Sequence, residues 1–262
     1  MKIGIVGYGF VGKAIKKLFS EALIYDPALP NESASQAEIN ACQVVFVCVP
    51  TNSLPDGGCD TSIVEQTVDW LKSDLIIIRS TVKPGTTQKL IDKYPDKKII
   101  FQPEYIGETV AHPLADESKK TFLILGGHKD HCAMAVELYQ SVYNSGVKII
   151  FLSATEAEIA KYMTNTAVAN TVTLVNEYYN ICRTFGADWH MVREAWLMDP
   201  RMSRYHTFVY PDKPGFSGKC LPKDLKAIAK AAQEAGYQAG FVEDILKNND
   251  RIKGLENTNS KP

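Results

Sequence analysis

Apolar positions in the first 150 residues fall into short runs separated by segments of helical period. Residues 2–6, 23–25, 44–49, 75–78, 98–101 and 122–125 read as strands, and residues 11–19 carry helical spacing. The run 44–49 is β-branched and does not alternate with polar residues, which marks a strand buried on both faces. Strands alternating with helices predict a parallel sheet covered by helices on both sides.

The pattern changes near residue 153. Ser153-Ala154-Thr155-Glu156 has the form of a capping box, and neither Pro nor Gly follows until Gly186. The spacing predicts one helix of about 30 residues, roughly 45 Å long, closed by that glycine. Further helical segments lie at 191–197, 223–234 and 241–253, and the proline-bearing stretch 199–222 reads as a long loop. Loops longer than about 15 residues are commonly functional. Two domains are expected, 1–152 and 153–253, with 254–262 as a flexible polar tail.

Composition narrows the class. Of 262 residues, 45% are hydrophobic and 23% charged, as in ordinary globular chains. Lys plus Arg is 29 against 30 for Asp plus Glu, so no basic excess exists to grip a phosphate backbone and nucleic acid is not an expected partner. The six cysteines include no C-x-x-C pair, the reading for reduced thiols in a cytoplasmic protein. Glycines interrupt the N-terminal apolar stretch, so no signal peptide is expected, and no apolar run is long enough for a bilayer. His128, His131 and Cys132 are too few to complete a tetrahedral set, so no metal is expected.

Gly7-Tyr8-Gly9-Phe10-Val11-Gly12 follows the first strand and opens a helix. In such a motif the first glycine permits the turn, the second admits a pyrophosphate and the third lets helix and strand pack closely. The helix N-terminus then faces the phosphates. Asp26 ends the second strand, where an acid binds the ribose hydroxyls and repels a 2′-phosphate; NAD is therefore the expected cofactor.

The stretch Pro214-Gly215-Phe216-Ser217-Gly218-Lys219-Cys220-Leu221-Pro222-Lys223-Asp224 places a cysteine after glycine turns and just before a helix. A helix N-terminus lowers a thiol pKa from about 8.5, and Lys223 adds positive charge nearby. Cys220 is thus a candidate nucleophile. Cys42, Cys48, Cys132 and Cys182 read as structural, and Cys59 as a loop thiol.

At this loop the sequence resembles the UDP-glucose 6-dehydrogenase family and its GDP-mannose and UDP-N-acetylmannosamine dehydrogenase relatives. The family loop G-F-G-G-x-C-x-x-K-D is here Gly215 to Asp224, with Ser217 and Lys219 as departures. Cys48-Val49-Pro50-Thr51, Arg79-Ser80-Thr81-Val82, Gln102-Pro103-Glu104-Tyr105-Ile106-Gly107-Glu108, the Lys161 to Asn165 helix, Asn176-Glu177 and Asp199-Pro200-Arg201 resemble its other marks, in order.

The resemblance implies a Rossmann-like doubly wound parallel sheet followed by an all-helical domain built on one long helix. It implies a four-electron oxidation of a nucleotide sugar, UDP-glucose first among them, to the uronic acid with two NAD. Cys220 would form a thiohemiacetal and then a thioester. Lys161 and Asn165, one helical turn apart, would hold the oxyanion, and Glu104 would act as acid/base or orient the water, assisted by Thr81 and Asp224. Tyr8, Phe10, Val11, Val49, Pro50, Thr51, Ser80, Thr81, Glu108 and Lys223 would join the glycines and Asp26 around NAD. Tyr105, Ile106, Arg201, Phe216 and Gly218 would join Lys161 and Asn165 around the substrate. The long helix would be the seam of a homodimer, and its apolar positions Ala160, Met163, Ala167, Val168, Val172, Leu174 and Val175 would serve the core, the seam, or both. Family members continue into a second Rossmann-like domain that helps bind the substrate nucleotide; this sequence ends before it, so that half of the site is expected to be incomplete.

Two other readings stay open. One is a two-electron hydroxyacid dehydrogenase of the 6-phosphogluconate or 3-hydroxyisobutyrate type, which needs no cysteine. The other is a non-catalytic NAD- or nucleotide-binding derivative.

Overall fold

The computed structural model describes residues 1–107 and 116–259, with side chains as far as Gly254. Strands β1 (Ile3–Val6), β2 (Leu23–Tyr25), β3 (Val44–Val47), β4 (Leu75–Ile78), β5 (Ile99–Phe101), β6 (Phe122–Gly127) and β7 (Lys148–Leu152) form one sheet in the order β2-β1-β3-β4-β5-β6-β7. All neighbouring pairs are parallel except β5 with β6. Period-two alternation splits the central strands between two cores. Val45, Val47, Ile76, Ile78 and Phe101 enter one, and Val44, Phe46, Leu75, Ile77 and Ile100 the other. Helices α1 (Phe10–Leu18), α2 (Gln36–Asn40), α3 (Ser62–Trp70), α4 (Thr86–Lys93) and α5 (Lys129–Tyr139) connect the strands.

One strand pair departs from the expected parallel pattern, and one further strand joins the sheet. The strand at 122–125 runs antiparallel to β5, and the apolar run at 149–152 adds β7 at the edge. Ile149, Ile150 and Phe151 remain substantially exposed there. An edge strand lacks a second neighbour, so its pattern does not carry the two-sided burial that identified β3 and β4.

Helix α6 runs Ala154–Thr184. Ser153 and Glu156 exchange the two capping-box bonds at its start, and Gly186, at φ 65°, turns the chain at its end. The helices after it are α7 (Trp189–Trp196), α8 (Leu221–Glu234) and α9 (Gly240–Asn259). Helix α9 thus passes the residue 253 at which the helical pattern was expected to stop.

The chain divides into two compact units: Met1–Pro55 with Cys59–Lys161, and Asp56–Gly58 with Tyr162 onward. The division falls inside α6, not at residue 152. Ala154 and Ala157 on its first turns belong to the sheet's core, and Glu158 accepts hydrogen bonds from the backbone N–H groups of Gly85 and Thr87 at 2.6 and 2.8 Å. In the second unit Ala169, Phe216, Leu225 and Ile245 form one core, and Val175, Cys182 and Trp189 another. Among the described residues no helix is long and apolar enough to cross a membrane.

Candidate active site

In the first unit, the sequence-predicted residues collect where the strands end. Strand order reverses on either side of β1, and a sheet of this kind binds ligands outside the carboxyl ends of its strands at such a point. Gly7 follows β1, the Cys48 to Thr51 segment follows β3, Arg79 to Thr81 follow β4, and Gln102 to Ile106 follow β5.

The glycine turn has the geometry of a dinucleotide cradle. Gly7 has φ 91°, and a Cβ there would lie 2.6 Å from the Cys48 carbonyl oxygen. A Cβ on Gly12 would lie 2.1 Å from the Gly7 carbonyl oxygen, so α1 can approach β1 only with glycine here. A Cβ on Gly9 would meet nothing within 4 Å, which leaves open space over the first turn of α1. Gly9 is the N-cap and supplies no side-chain bond, so the helix N-terminus is suited to an anion. Asp26 Oδ2 accepts the Tyr8 N–H at 2.7 Å, and Oδ1 accepts that of Ala28 at 2.9 Å. The acid is therefore fixed beside the glycine turn. Phe10 is exposed, Val11 half-buried and Pro50 exposed, whereas Val49 is buried. Thr51 Oγ1 donates to the Thr81 carbonyl at 2.7 Å and Ser80 Oγ to that of Val49 at 2.7 Å, which ties the ends of β3 and β4 together. These residues fit NAD. Glu108 lies outside the described residues.

Glu104, the expected acid/base, is held at both carboxylate oxygens. Its Oε2 is paired with the Arg79 guanidinium and its Oε1 accepts the Ile106 N–H. Arg79 is buried and also meets Glu117 at 3.0 Å, and Lys120 meets Glu117 at 2.9 Å. Two cations and two carboxylates thus share one buried cluster. Burial opposes the charge on Arg79, but Glu117 and Glu104 outweigh it and hold its pKa above the usual value. Burial likewise works against ionised Glu117, and Arg79 and Lys120 reverse the balance and keep its carboxyl below the ordinary range. The partnership of Arg79 with Glu104, and the part of Glu117 and Lys120, were not read from the sequence. A signal existed: an arginine directly after the buried run Leu75 to Ile78 needs a counter-charge. Lys161 is buried, with Nζ 5.1 Å from the centre of the half-buried Tyr105 ring, close enough for a cation–π contact.

The second unit holds the cysteine loop. Cys220 is exposed and is the N-cap of α8, with Pro222 in its first turn. The other five cysteines are buried, Cys59 included, and none is in a disulfide. Burial pushes the Cys48 thiol up to about 12 and the Cys132 thiol to about 11, far from reactivity. Four residues after Cys220, buried Asp224 accepts a hydrogen bond from Asn165 Nδ2 at 2.6 Å and meets the Lys223 ammonium at 2.8 Å. Gly218 has φ 87° and open space about it.

Two expected substrate ligands stand differently. The Phe216 ring is buried in the core with Ala169, Leu225 and Ile245, so it is a packing element and does not present itself to a ligand. Arg201 is exposed and its guanidinium is held on Asp199 at 2.5 Å. Among the described residues no cluster of His, Cys, Asp or Glu could hold a metal ion.

A glycine cradle at the reversal of a mostly parallel sheet, joined in sequence to a helical unit with one exposed cysteine at a helix start, defines an NAD-binding α/β protein with a second, helical unit. Residues 25–145 match the NAD binding domain, and residues 155–251 the central domain, of the UDP-glucose/GDP-mannose dehydrogenase family. The chain belongs to that family. It is 26% identical over 251 residues to the UDP-glucose 6-dehydrogenase of Rickettsia bellii, and 27% identical over 301 residues to a putative UDP-glucose 6-dehydrogenase of Bacillus subtilis. These matches take in 92% and 97% of this chain and 56% and 69% of the relatives. The fold is that of the UDP-glucose dehydrogenase of Pyrobaculum islandicum, with a TM-score of 0.81 at 22% identity, covering 95% of this chain and 68% of that one.

Proposed function

We propose that this chain carries out NAD-dependent oxidation of a nucleotide sugar, UDP-glucose in the first instance, to the uronic acid through a covalent intermediate on Cys220. The observation that carries the reading is an exposed thiol at the start of α8, with the Asn165–Asp224 pair one turn along. Membership of the family and the names of the relatives support the substrate class.

NAD, when bound, would accept one hydride in each oxidation, so that two NAD are used in turn per acid; Gly7, Gly9, Gly12 and Asp26 are the residues that would hold it. Between the two oxidations Cys220 adds as thiolate to the aldehyde carbon and keeps it as a thiohemiacetal. After the second oxidation Cys220 bears a thioester, which water cleaves to the carboxylic acid and the thiolate. Lys161 and Asn165, four residues apart on α6, donate to the oxyanion. Glu104, its direction set by Arg79 and Ile106, accepts a hydrogen bond from the water or the sugar hydroxyl. Arg201 is assigned to the substrate phosphates.

The protein acts as a homodimer in this reading. Met163, Ala167, Leu174, Tyr178, Ile181 and Phe185 are exposed along one face of α6, an apolar stripe interrupted at the turn of Asn170 and Thr171. A second copy of the same helix is self-complementary to it. A monomer by light scattering at micromolar concentration contradicts the dimer.

The test is NADH formation over a panel of nucleotide sugars, with two NADH counted per acid produced. Cys220→Ser should still bind NAD and yield no acid, because the alcohol is a much poorer nucleophile. Near-normal acid output from Cys220→Ser, or one NADH per turnover with an unreactive thiol, refutes the covalent mechanism and favours the two-electron alternative.

A further inference from the structure

We propose that Asn249, on α9, is a positioning residue for the Cys220 thiol. The inference rests on the reading of Cys220 as the nucleophile. Asn249 is buried, and its side-chain amide pairs with both backbone groups of one residue. Oδ1 accepts the Phe216 N–H at 2.7 Å, and Nδ2 donates to the Phe216 carbonyl at 3.0 Å. The amide thereby takes the place of a neighbouring strand for a peptide that no strand reaches.

The surroundings are built to this contact. Gly215 sits at φ 71°, and a Cβ there would lie 2.4 Å from Asn249 Oδ1, so the amide reaches the chain only because residue 215 is glycine. The Gly215 N–H donates to Asn176 Oδ1 at 3.1 Å, and Asn176 Nδ2 donates back to the Val172 carbonyl within α6. The Phe216 ring is buried against Leu225, a residue of the helix that Cys220 caps. The upstream end of the cysteine loop is therefore held by α6 and α9.

The downstream end is held by Asp224 on Asn165. Between the two ends residues 217–220 are exposed, and Gly218 has open space on every side of its missing Cβ. Where the thiol stands is set by the two anchored ends of this short arch. Releasing the Phe216 peptide removes the α9 half of the upstream anchor and leaves the Asn176 bond to Gly215 to hold that end alone. Asn249 touches the loop backbone and takes no part in bond making, so its effect passes through Cys220.

The experiment compares the intact chain with Asn249→Ala and Asn249→Asp. The rate of Cys220 alkylation by iodoacetamide is read by peptide mass spectrometry, beside thermal unfolding, kcat and the KM for NAD. Alkylation of Cys220 should change severalfold. The kcat should fall by about 10- to 100-fold, as for displacement of a reacting group by an ångström, with the KM for NAD unchanged. Asn249→Asp keeps the acceptor for the Phe216 N–H but turns a second acceptor toward the Phe216 carbonyl. Protonation of the new carboxyl restores a donor, so both readouts of this variant should recover relative to the parent as pH falls. That recovery keeps the inference testable where Asn249→Ala does not fold. Variants that unfold at lower temperature yet keep the parent's alkylation rate and kcat overturn the proposal and leave Asn249 a purely structural residue. Alkylation needs no turnover: a parent chain that oxidises no nucleotide sugar refutes the functional reading alone, and unchanged alkylation refutes the positioning role alone.

Discussion

Asn165 donates its side-chain amide to the Asp224 carboxylate at 2.6 Å, which joins α6 to the first turn of the helix that Cys220 begins. Asp224 is buried and takes its other contact from Lys223. Asn165→Ala should destabilise the second unit by about 1–3 kcal/mol, the cost of a buried polar group left without its partner. Asn165→Asp should be worse at pH 8 than at pH 5, because two carboxylates at that distance must share a proton. Urea unfolding at the two pH values checks both outcomes.

Arg79 lies between Glu104 and Glu117 in the buried cluster. Arg79→Met should cost about 3–5 kcal/mol, as expected when a buried pair loses one member and its counter-charge stays behind. Adding Glu104→Gln should recover part of the loss, because Glu104 is the carboxylate left without its cation while Glu117 keeps Lys120. A double variant no more stable than Arg79→Met by urea unfolding would contradict the charge-balance account.

Glu158, on α6, is buried against the start of α4, and burial pushes its carboxyl up to about 7 from an ordinary 4.5, against the bonds from Thr87 and Gly85. The folded protein therefore holds this proton more tightly than the unfolded chain. The stabilisation linked to it is full below about pH 4.5 and is lost as pH rises through about 7, on the order of 3 kcal/mol in all. Glu158→Gln should flatten that part of the stability profile. Equal slopes for the parent and Glu158→Gln between pH 5 and 8 in thermal unfolding would show that the carboxylate ionises without penalty.

The Asp26 carboxylate is fixed beside the glycine turn by the Tyr8 and Ala28 N–H groups. It should repel a 2′-phosphate, so kcat/KM should favour NAD over NADP. Asp26→Ser should narrow the preference, chiefly by weakening NAD. Equal turnover of both cofactors by the parent chain would remove this role from Asp26.

Much of the frame was legible in order along the chain. The run 75–78 coincides with β4, because a strand buried on both faces needs an unbroken apolar run and leaves its length in the sequence. Helix α6 was readable from its capping box to Gly186, since both ends are set by local backbone chemistry. The glycine turn, Asp26 and the cysteine before a helix were readable for the same reason: their spacing is itself the requirement.

Tertiary structure alone decided the rest. That β6 runs antiparallel to β5 depends on the path of the chain between them, which no local pattern encodes. Phe216 looked like a ligand and is a core residue, because a position in a loop motif does not say which way a ring points. Glu104 and Arg79 are 25 residues apart, and Phe216 and Asn249 are 33 apart. A charge or an amide in sequence states that it needs a partner. Which one it finds is settled only when packing brings distant segments within hydrogen-bond reach.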